Sequence, residues 1–539
     1  MEYPKYKKVV LLVLDGFGIA SYSHGNAIAL AGPDHLDSLV ANYPSTTLLA
    51  SGPVVGLPWG EVGNSEVGHL NIGAGRIVGQ DLPRINSAIQ DKSFFKNEAL
   101  LQACEHAKQN NSNLHLMGMV SAGGVHSSED HIYALLGLAA EQGLKNVFIH
   151  MFTDGRDTNE KEALNSLKTL KRKIDQTGVG TIATVTGRFY AMDRGKHWEQ
   201  TEMTYQMLVN GTGVAADSAE EAVLNSYNQN IYDEMIPPTA IINREEGQSG
   251  MHPVAKIADN DAVVFFNFRS DRALQLTEAF VKPEAMDIAK KHEPLNNLFF
   301  VTMTEYFFGL PVHVAFPSVN LQNNLAEVVS KNKMRQFHIA ESEKYAHVTS
   351  FFNGGVSEPF PGEERKIVNS PVDNKNYADN PQMGGPELTE VLVDKIKNED
   401  FNFYLANFAS GDMVGHTGVL DAGVKAVQFL DHFIQQITEA TLSVGGVLLI
   451  TADHGNIESM INLKTGQIDK EHSTSPVPFL LVSKEFEFSK PKDRNYLSLS
   501  SHPPSGVVSD IAPSILELLD IPKPEEMDGV TLLPDLLST

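Results

Sequence analysis

The sequence predicts an α/β protein of two domains, with parallel sheets covered by helices on both faces. Short β-branched and aromatic runs alternate with longer amphipathic segments along the chain. Polar and charged residues cluster directly after the apolar runs, where open α/β sheets bind ligands. The length of 539 residues also exceeds what one hydrophobic core usually organises.

Nine apolar runs have the length and composition of buried strands. Strands that alternate with helices are typical of parallel sheets buried on both faces. The predicted strands span residues 9–14, 114–120, 147–152, 181–186, 262–268, 298–303, 401–408, 447–451 and 478–482. Segments with helical periodicity span residues 129–142, 161–176, 321–331, 424–440 and 509–519.

The chemistry of the residues after these strands divides the chain. Acidic, histidine and serine residues of the metal-ligand type occur near both chain ends, whereas arginine-bearing turns occur only in the middle. We therefore expect a metal-binding domain formed by residues 1–80 and 314–539, with a substrate-binding domain, residues 81–313, inserted into it. The polar stretch 489–505 predicts an exposed loop.

The overall composition excludes several classes of function. The formal net charge of −25 makes general binding to nucleic acid or anionic membranes unfavourable. The one cysteine, Cys104, excludes an intrachain disulfide and a thiolate metal cluster. The polar N-terminus and the absence of a long apolar stretch predict neither a signal peptide nor a membrane span, so we expect a cytoplasmic protein.

Two segments far apart in the sequence carry the residue types of a single metal site. Carboxylates and imidazoles are ligands of divalent ions such as Mn²⁺ and Zn²⁺. A serine hydroxyl beside such an ion loses its proton near neutral pH and becomes a nucleophile. This number of candidates fits two ions better than one. The candidate residues are Asp15, Ser65, Asp412, His416, Asp453, His454 and His472.

Taken one at a time, these residues also have ordinary structural interpretations. Asp412 and His416 are spaced for one helical face and could be a solvated pair. His472 could be a solvated loop histidine. Ser65 could be a helix N-cap, and its local sequence alone favours that interpretation. The metal-site hypothesis therefore depends on the complete set and its recurring position after predicted strands.

The middle of the chain carries candidates for binding an anion. Arg269 and Arg272 follow a predicted strand three residues apart, a spacing that suits a clamp for carboxylate or phosphate. Arginines in isolation are more often surface residues. The candidate arginines are Arg156, Arg188, Arg194, Arg269 and Arg272.

Three further polar residues are candidates for contact with the same anion. Asp157 could orient the neighbouring arginine or bind substrate hydroxyls. His126, after two glycines, could contact phosphate or donate a proton. Lys344 could neutralise a transferring phosphoryl group, although it could equally balance the glutamates beside it.

Seven motifs, in order along nearly the whole chain, closely resemble the cofactor-independent phosphoglycerate mutases. This colinearity is far more specific than any single motif. The motifs are Val13-Leu14-Asp15-Gly16-Phe17-Gly18, Gly63-Asn64-Ser65-Glu66-Val67-Gly68-His69, Gly123-Gly124-Val125-His126-Ser127, Thr153-Asp154-Gly155-Arg156-Asp157-Thr158, Gly187-Arg188-Phe189-Tyr190-Ala191-Met192-Asp193-Arg194, Asn267-Phe268-Arg269-Ser270-Asp271-Arg272 and Thr451-Ala452-Asp453-His454-Gly455-Asn456.

The resemblance implies a phosphatase-like domain of the alkaline phosphatase superfamily with an inserted transferase domain. It implies that Ser65 accepts the phosphoryl group of 3-phosphoglycerate and returns it to the other hydroxyl, giving 2-phosphoglycerate without 2,3-bisphosphoglycerate. It implies two divalent ions, with Mn²⁺ favoured over Zn²⁺, Co²⁺ or Mg²⁺, and a monomer. One ion would be bound by Asp412, His416 and His472, the other by Asp15, Ser65, Asp453 and His454. The substrate would be bound by His126, Arg156, Asp157, Arg188, Arg194, Arg269, Arg272 and Lys344.

The sequence departs from the family pattern at a few positions, and other functions stay open. Ser410-Gly411 stands where Asn-Pro is expected, and Val62 replaces a usual methionine. We expect these changes to adjust loop shape and not to abolish activity. A metal-dependent phosphomonoesterase of the same superfamily is the main alternative. A non-catalytic binding protein and a phosphopentomutase, which is expected to use threonine, fit the motifs less well.

Overall fold

The structure is a computed structural model that describes residues 3–243, 252–282, 294–318, 321–370, 376–488 and 490–537. The chain divides into two units. The first is Met1–Gln80 together with Asn320–Thr539, and the second is Asp81–Val319. Each described unit contains a sheet and its own hydrophobic cores. The functional roles expected for these units stay predictions.

The strands within the described residues follow the predicted apolar runs, with several additional short or polar strands. They are β1 (Val9–Leu14), β2 (Ser45–Leu49), β3 (Leu114–Met119), β4 (Val147–Thr153), β5 (Thr181–Gly187), β6 (Val214–Ala216), β7 (Thr239–Asn243), β8 (His252–Pro253), β9 (Ala262–Phe265), β10 (Phe299–Thr304), β11 (His313–Phe316), β12 (Gln336–Glu341), β13 (Glu363–Val368), β14 (Phe403–Phe408), β15 (Val447–Thr451), β16 (Val477–Val482) and β17 (Gly506–Val507).

The helices within the described residues lie mainly between consecutive strands, as expected for an α/β protein. They are α1 (Ala27–Ala31), α2 (Asp34–Asn42), α3 (Ser65–Ala74), α4 (Asp81–Gln90), α5 (Glu98–Gln109), α6 (Glu129–Glu141), α7 (Ala163–Thr177), α8 (Arg188–Ala191), α9 (Trp198–Asn210), α10 (Ala219–Asn228), α11 (Leu274–Val281), α12 (Leu325–Lys331), α13 (Gly385–Asn398), α14 (Ser410–Gly415), α15 (Leu420–Ser443), α16 (Ile511–Leu518) and α17 (Leu533–Leu537).

The sheet of the first unit has the order β13-β12-β14-β1-β15-β16-β2-β17. Its centre is β1, whose six residues are all apolar and fully buried and which pairs in parallel with β14 and β15. The strand β16 differs from the parallel arrangement that we predicted, because it runs antiparallel to both of its neighbours. The chain reaches β16 from β15 through a loop without an α-helical crossover, and such a connection permits an antiparallel strand.

The sheet of the second unit has the order β11-β10-β9-β3-β4-β5-β7-β6, and β8 pairs with β7. The run from β11 to β5 is parallel, whereas β7 is antiparallel to β5. Neighbouring residues of β3 enter different cores: Leu116 belongs to one and Met117 to the other. Apolar cores therefore cover both faces of this sheet, as the predicted α/β class requires.

This architecture confirms the predicted α/β class. Among the described residues, no helix combines the length and the apolar character needed to cross a membrane. The predicted loop 489–505 contains a short 3₁₀ helix, Tyr496–Ser501, and its first residue lies outside the described residues.

Candidate active site

Three neighbouring strands of the first unit end at one edge of its sheet, and each is followed by candidate ligands. Asp15 follows β1 directly, Asp412 lies in α14 just after β14, and Asp453 and His454 follow β15 after one residue. Because β1 pairs in parallel with both β14 and β15, their carboxyl ends lie side by side. This pairing brings together carboxylates that are almost 440 residues apart in sequence.

Ser65 is the first residue of α3 and points into the same cluster. The N-cap of this helix is Asn64, whose side chain accepts a hydrogen bond from the Val67 amide, so the N-cap interpretation of Ser65 is wrong. Ser65 Oγ lies 3.1 Å from Asp15 Oδ1 and 3.0 Å from His454 Nε2. The hydroxyl is therefore placed among the candidate ligands at a helix N-terminus, where the backbone dipole favours negative charge.

Glycine in α3 permits this close approach. A Cβ added to Gly68 would lie 2.6 Å from the carbonyl oxygen of Asp453. A similar contact exists at Gly411, where an added Cβ would lie 2.5 Å from the carbonyl oxygen of Asp15. The glycine of the Ser-Gly departure from the family pattern thus lies where a side chain would push two ligand-bearing segments apart.

Asp412, His416 and His472 converge on one point. Asp412 Oδ1 lies 3.2 Å from His416 Nε2 and 3.1 Å from His472 Nε2, and the two Nε2 atoms are 3.0 Å apart. The Nδ1 atoms point away: that of His416 lies 2.6 Å from the carbonyl oxygen of Lys470, and that of His472 lies 2.8 Å from that of Gly63. Carbonyl acceptors of this kind fix the tautomer that leaves Nε2 free for a metal ion.

The remaining candidates form a second, more deeply buried group. His454 Nε2 lies 3.5 Å from Asp15 Oδ1 and 3.6 Å from Asp453 Oδ2. Asp453 Oδ2 is a buried carboxylate oxygen without a hydrogen-bond partner in the described structure. Asp412 borders this group as well as the first one, because its ligand-type atom lies within 4.8 Å of those of Asp15 and His454. A buried, incompletely satisfied carboxylate among such groups fits the binding of a cation.

Lys344 lies within this cluster of the first unit, whereas the candidate arginines belong to the second unit. Its Nζ is 2.6 Å from Ser65 Oγ, 2.6 Å from Asp15 Oδ1 and 2.7 Å from Asp412 Oδ2. Burial opposes the charge on Lys344, but the surrounding carboxylates outweigh it and raise the pKa of the ammonium above its usual range. Lys344 is one positive charge beside three buried aspartates, which are Asp15, Asp412 and Asp453. Further positive charge would therefore stabilise the cluster.

The same charges shift the pKa values of the neighbouring acids and bases. Burial opposes ionisation of Asp15 and Asp412, but Lys344 and the histidines lower both pKa values below the usual range. Burial likewise opposes protonation of His454, yet Asp453 and Asp15 raise its pKa to about 9. The site therefore favours ionised carboxylates, which are the form that binds a metal ion.

The sequence reasoning missed several residues that hold this cluster in place. His69 Nδ1 lies 2.9 Å from the carbonyl oxygen of Ser65 and 3.2 Å from Asp453 Oδ2. The Asn407 amide donates to Asp15 Oδ2 and lies 3.0 Å from His69 Nε2, while the Asn456 amide donates to Asp412 Oδ1. The only sequence signal for Asn407 is a polar residue in an otherwise apolar strand.

The second unit gathers the other candidates at the carboxyl ends of four adjacent parallel strands. His126 follows β3, Arg156 and Asp157 follow β4, Arg188 follows β5, and Arg269 follows β9. These strands are neighbours in the order β9-β3-β4-β5. Arg194 and Arg272 lie in the segments that continue from β5 and β9.

Arg188 is the most constrained of the arginines. Its buried guanidinium donates from Nη1 to Asp154 Oδ1 at 2.6 Å and to Asp157 Oδ2 at 2.5 Å. Burial opposes its charge, but these carboxylates raise the pKa of Arg188. Asp154, a motif residue that the sequence reasoning did not select, therefore helps to fix both Arg188 and Asp157.

Asp271 has a similar role beside His126. Asp271 Oδ2 accepts from Arg194 Nη1 at 2.7 Å, and Oδ1 lies 3.3 Å from Arg269 Nε and 3.5 Å from His126 Nδ1. Burial and then the charge of Arg188 lower the pKa of His126 to about 4, so its ring is neutral near pH 7. The sequence reasoning also missed Asp271.

Arg156 and Arg272 are held less tightly. Arg156 is exposed, with Nη1 3.6 Å from Glu234 Oε1, and Arg272 Nη1 donates to the carbonyl oxygen of Met192 at 3.2 Å. Burial and the neighbouring Arg188 lower the pKa of Arg272. A partly desolvated arginine near other arginines is suited to an anionic ligand.

Comparisons with known proteins cover nearly the whole chain. Residues 85–307 match the family described as BPG-independent PGAM N-terminus. The chain is 46% identical over 546 residues to the 2,3-bisphosphoglycerate-independent phosphoglycerate mutase of Chloroflexus aggregans, covering 98% of each protein. It is 46% identical over 528 residues to the protein of the same name from Clostridioides difficile, covering 98% of this chain and 99% of that one.

A solved structure agrees with these relatives. The crystal structure of Leishmania mexicana phosphoglycerate mutase at low cobalt concentration has a TM-score of 0.63 and 27% sequence identity. The match covers 98% of this chain and 97% of the Leishmania chain. The similarity in sequence and in fold therefore includes both units.

Proposed function

This chain belongs to the 2,3-bisphosphoglycerate-independent phosphoglycerate mutases, and we propose that it interconverts 3-phosphoglycerate and 2-phosphoglycerate through a phosphoserine at Ser65. The observation that carries the proposal is the position of Ser65 Oγ, close to Asp15, His454 and Lys344. A serine held by a carboxylate, an imidazole and an ammonium group is placed for nucleophilic attack on the phosphorus of an anionic phosphate.

In the first step, Ser65 Oγ attacks the phosphorus of 3-phosphoglycerate and the bond from phosphorus to O3 breaks. Ser65 loses its proton, and O3 of the released glycerate gains one. In the second step, the O2 hydroxyl of glycerate attacks the phosphoserine, the bond to Oγ breaks, and Oγ regains a proton. The Lys344 ammonium, 2.6 Å from Oγ, stabilises the negative charge that develops in both steps.

The arginine cluster would bind the anionic groups of the substrate. Arg188, already held in one orientation by Asp154 and Asp157, offers a preorganised guanidinium. Arg269 and Arg194 both contact Asp271, so their guanidiniums lie close to each other. Arginines that retain glycerate favour return of the phosphoryl group over its loss to water.

The donor set fits two divalent ions. Asp412, His416 and His472 would hold one, and Asp15, Ser65, Asp453 and His454 would hold the other. When bound, such ions lower the pKa of the serine hydroxyl and screen the phosphoryl oxygens. Mn²⁺ is the first choice because the family resemblance implies it, and this mixture of carboxylate and imidazole leaves Zn²⁺, Co²⁺ and Mg²⁺ as alternatives. We further infer a glycolytic role in the cytoplasm, as a monomer.

Phosphorus NMR would test the reaction directly. The protein would be stripped of metal, reconstituted with Mn²⁺, and given 3-phosphoglycerate without 2,3-bisphosphoglycerate. We expect 2-phosphoglycerate to grow to a fixed ratio with little inorganic phosphate. Steady accumulation of inorganic phosphate would instead identify the chain as a phosphomonoesterase.

A further inference from the structure

Glu458 is a buried carboxylate of the first unit that has no role in the proposed phosphoryl transfer. It lies in the short 3₁₀ helix Ile457–Ser459, just after the β15 loop, and is 2% exposed. It belongs to none of the three clusters of potential ligand atoms found among the described residues. Its hydrogen bonds therefore need a different explanation.

The two carboxylate oxygens of Glu458 accept hydrogen bonds from three donors. Oε2 accepts from the backbone amide of Gly18 at 3.0 Å and from that of Asn456 at 2.8 Å. Oε1 accepts a short hydrogen bond from Ser473 Oγ. Asn456 lies in the same segment as Glu458, whereas Gly18 and Ser473 come from two other segments, so the side chain links its own segment to both of them.

Every one of these segments carries a proposed metal ligand. Gly18 is three residues after Asp15, Asn456 is two residues after His454, and Ser473 directly follows His472. Asp15 and His454 belong to one proposed ion, whereas His472 belongs to the other. Glu458 thus connects segments that must be kept in register for both ions.

The packing around Glu458 is too close to be incidental. A Cβ added to Gly18 would lie 2.5 Å from the Glu458 carboxyl carbon, and one added to Gly455 would lie 2.5 Å from its Oε1. Backbone hydrogen bonds join the same segments: Ile457 donates to Gly16 at 3.0 Å, and Ser473 donates to Gly455 at 2.9 Å. Glycines at both positions let the three segments close around this carboxylate.

From this geometry we infer that Glu458 is a positioning residue, which sets the spacing of the two proposed metal sites without binding an ion itself. The inference rests on the proposed function, because it concerns the ligand set named there. In other proteins, mutation of the residues that orient metal ligands typically lowers metal affinity or activity by about 10- to 100-fold.

Two substitutions distinguish loss of the three hydrogen bonds from loss of the negative charge. E458A removes all three acceptor bonds and leaves the amides of Gly18 and Asn456 buried without a partner. E458Q keeps them, because its amide oxygen can accept from both amides while its NH₂ group donates to Ser473 Oγ. If Glu458 acts by positioning, glutamine should rescue most of what alanine loses.

The experiment measures Mn²⁺ binding by electron paramagnetic resonance together with the stability of the metal-free protein. D431A is the matched control: Asp431 accepts from the amides of His35 and Leu36 at 2.9 Å in the same unit, and neither of the segments it joins there carries a ligand. S473A is a milder variant, for use if E458A does not fold, and should weaken Mn²⁺ binding several-fold.

We expect E458A to bind Mn²⁺ about 10- to 100-fold more weakly than wild type, and E458Q to stay within about 3-fold. D431A should lose stability and keep its Mn²⁺ affinity. Equal Mn²⁺ affinity in wild type, E458A and S473A would overturn the inference, as would an equal loss in D431A. Wild-type protein that binds none of Mn²⁺, Co²⁺, Zn²⁺ and Mg²⁺ would instead overturn the proposed metal sites and with them the proposed function.

Discussion

Replacing Lys344 by methionine tests the electrostatic account of the site most directly. Lys344 Nζ lies 2.6 Å from Asp15 Oδ1 and 2.7 Å from Asp412 Oδ2, and all three side chains are buried. At an effective dielectric constant of about 20, each attraction is worth about 6 kcal/mol before desolvation is subtracted. Removing one partner of a buried ion pair typically costs about 3–5 kcal/mol, because the other charge is left uncompensated.

K344M should therefore lower the free energy of unfolding of the metal-free protein by about 3–5 kcal/mol. Saturating Mn²⁺ should recover part of this loss, since it supplies positive charge to the same carboxylates. The stabilisation caused by Mn²⁺ should thus be larger in K344M than in wild type. Activity should nevertheless fall by about 100-fold or more, because the ammonium beside Ser65 Oγ is gone.

Urea denaturation followed by circular dichroism would measure these differences in chelated and in Mn²⁺-saturated protein. K331M is the control, since Lys331 makes a 2.8 Å pair with Glu327 in the same unit but is exposed to solvent. That substitution should cost no more than about 1 kcal/mol. Metal-free K344M as stable as wild type, or equally destabilised with and without Mn²⁺, would refute the reasoning.

Three other predictions follow from single residues. S65A should fold and bind Mn²⁺ but lose more than about 1,000-fold in mutase activity, whereas comparable turnover would exclude Ser65 as the nucleophile. R269A should raise the KM for 3-phosphoglycerate about 10- to 100-fold, with exposed Arg172 as the R172A control; unchanged kinetics would contradict a substrate contact. Burial lowers the pKa of His131 from 6.5 to about 4, so the stability that this residue contributes is complete above pH 6.5 and is lost as the pH falls towards 4. H131Q should flatten the fall in unfolding free energy over that pH range, and an unchanged slope would count against this assignment.

The apolar strands were the most predictable part of the fold. Runs such as Val9–Leu14 and Val447–Thr451 are buried on both faces, so nothing in their sequence interrupts the apolar pattern. The edge strand β13 was missed because its sequence, EERKIV, carries charges that suit one exposed edge. The direction of β16 was also not predictable, since apolar composition does not distinguish parallel from antiparallel pairing.

For the candidate site, too, local features could be predicted from the sequence, whereas contacts made only in the folded protein could not. Five of the seven predicted ligands come together because they follow the adjacent strands β14, β1 and β15, and strand ends can be read from sequence. Ser65 and His472 lie at the start of α3 and in the loop before β16, and tertiary folding brings them to the same place. His69 and Asn407 were missed because a histidine within a helix and an asparagine within a strand look like ordinary core residues. Their role depends on which side chains the fold places beside them, and Asp271 was overlooked for the same reason.

The central position of β1 has a consequence for the synthesis of the protein. Its partners β14 and β15 lie about 390 and about 440 residues later in the chain. At about 5–20 residues per second, both partners are therefore translated only about 20–90 s after β1. During that interval the apolar sequence VVLLVL has neither strand neighbour. An unpaired strand of this kind is prone to aggregation and is a target for chaperones that bind nascent chains. The arrangement that joins the two halves of the site thus leaves β1 without its sheet partners until β14 and β15 have been synthesised.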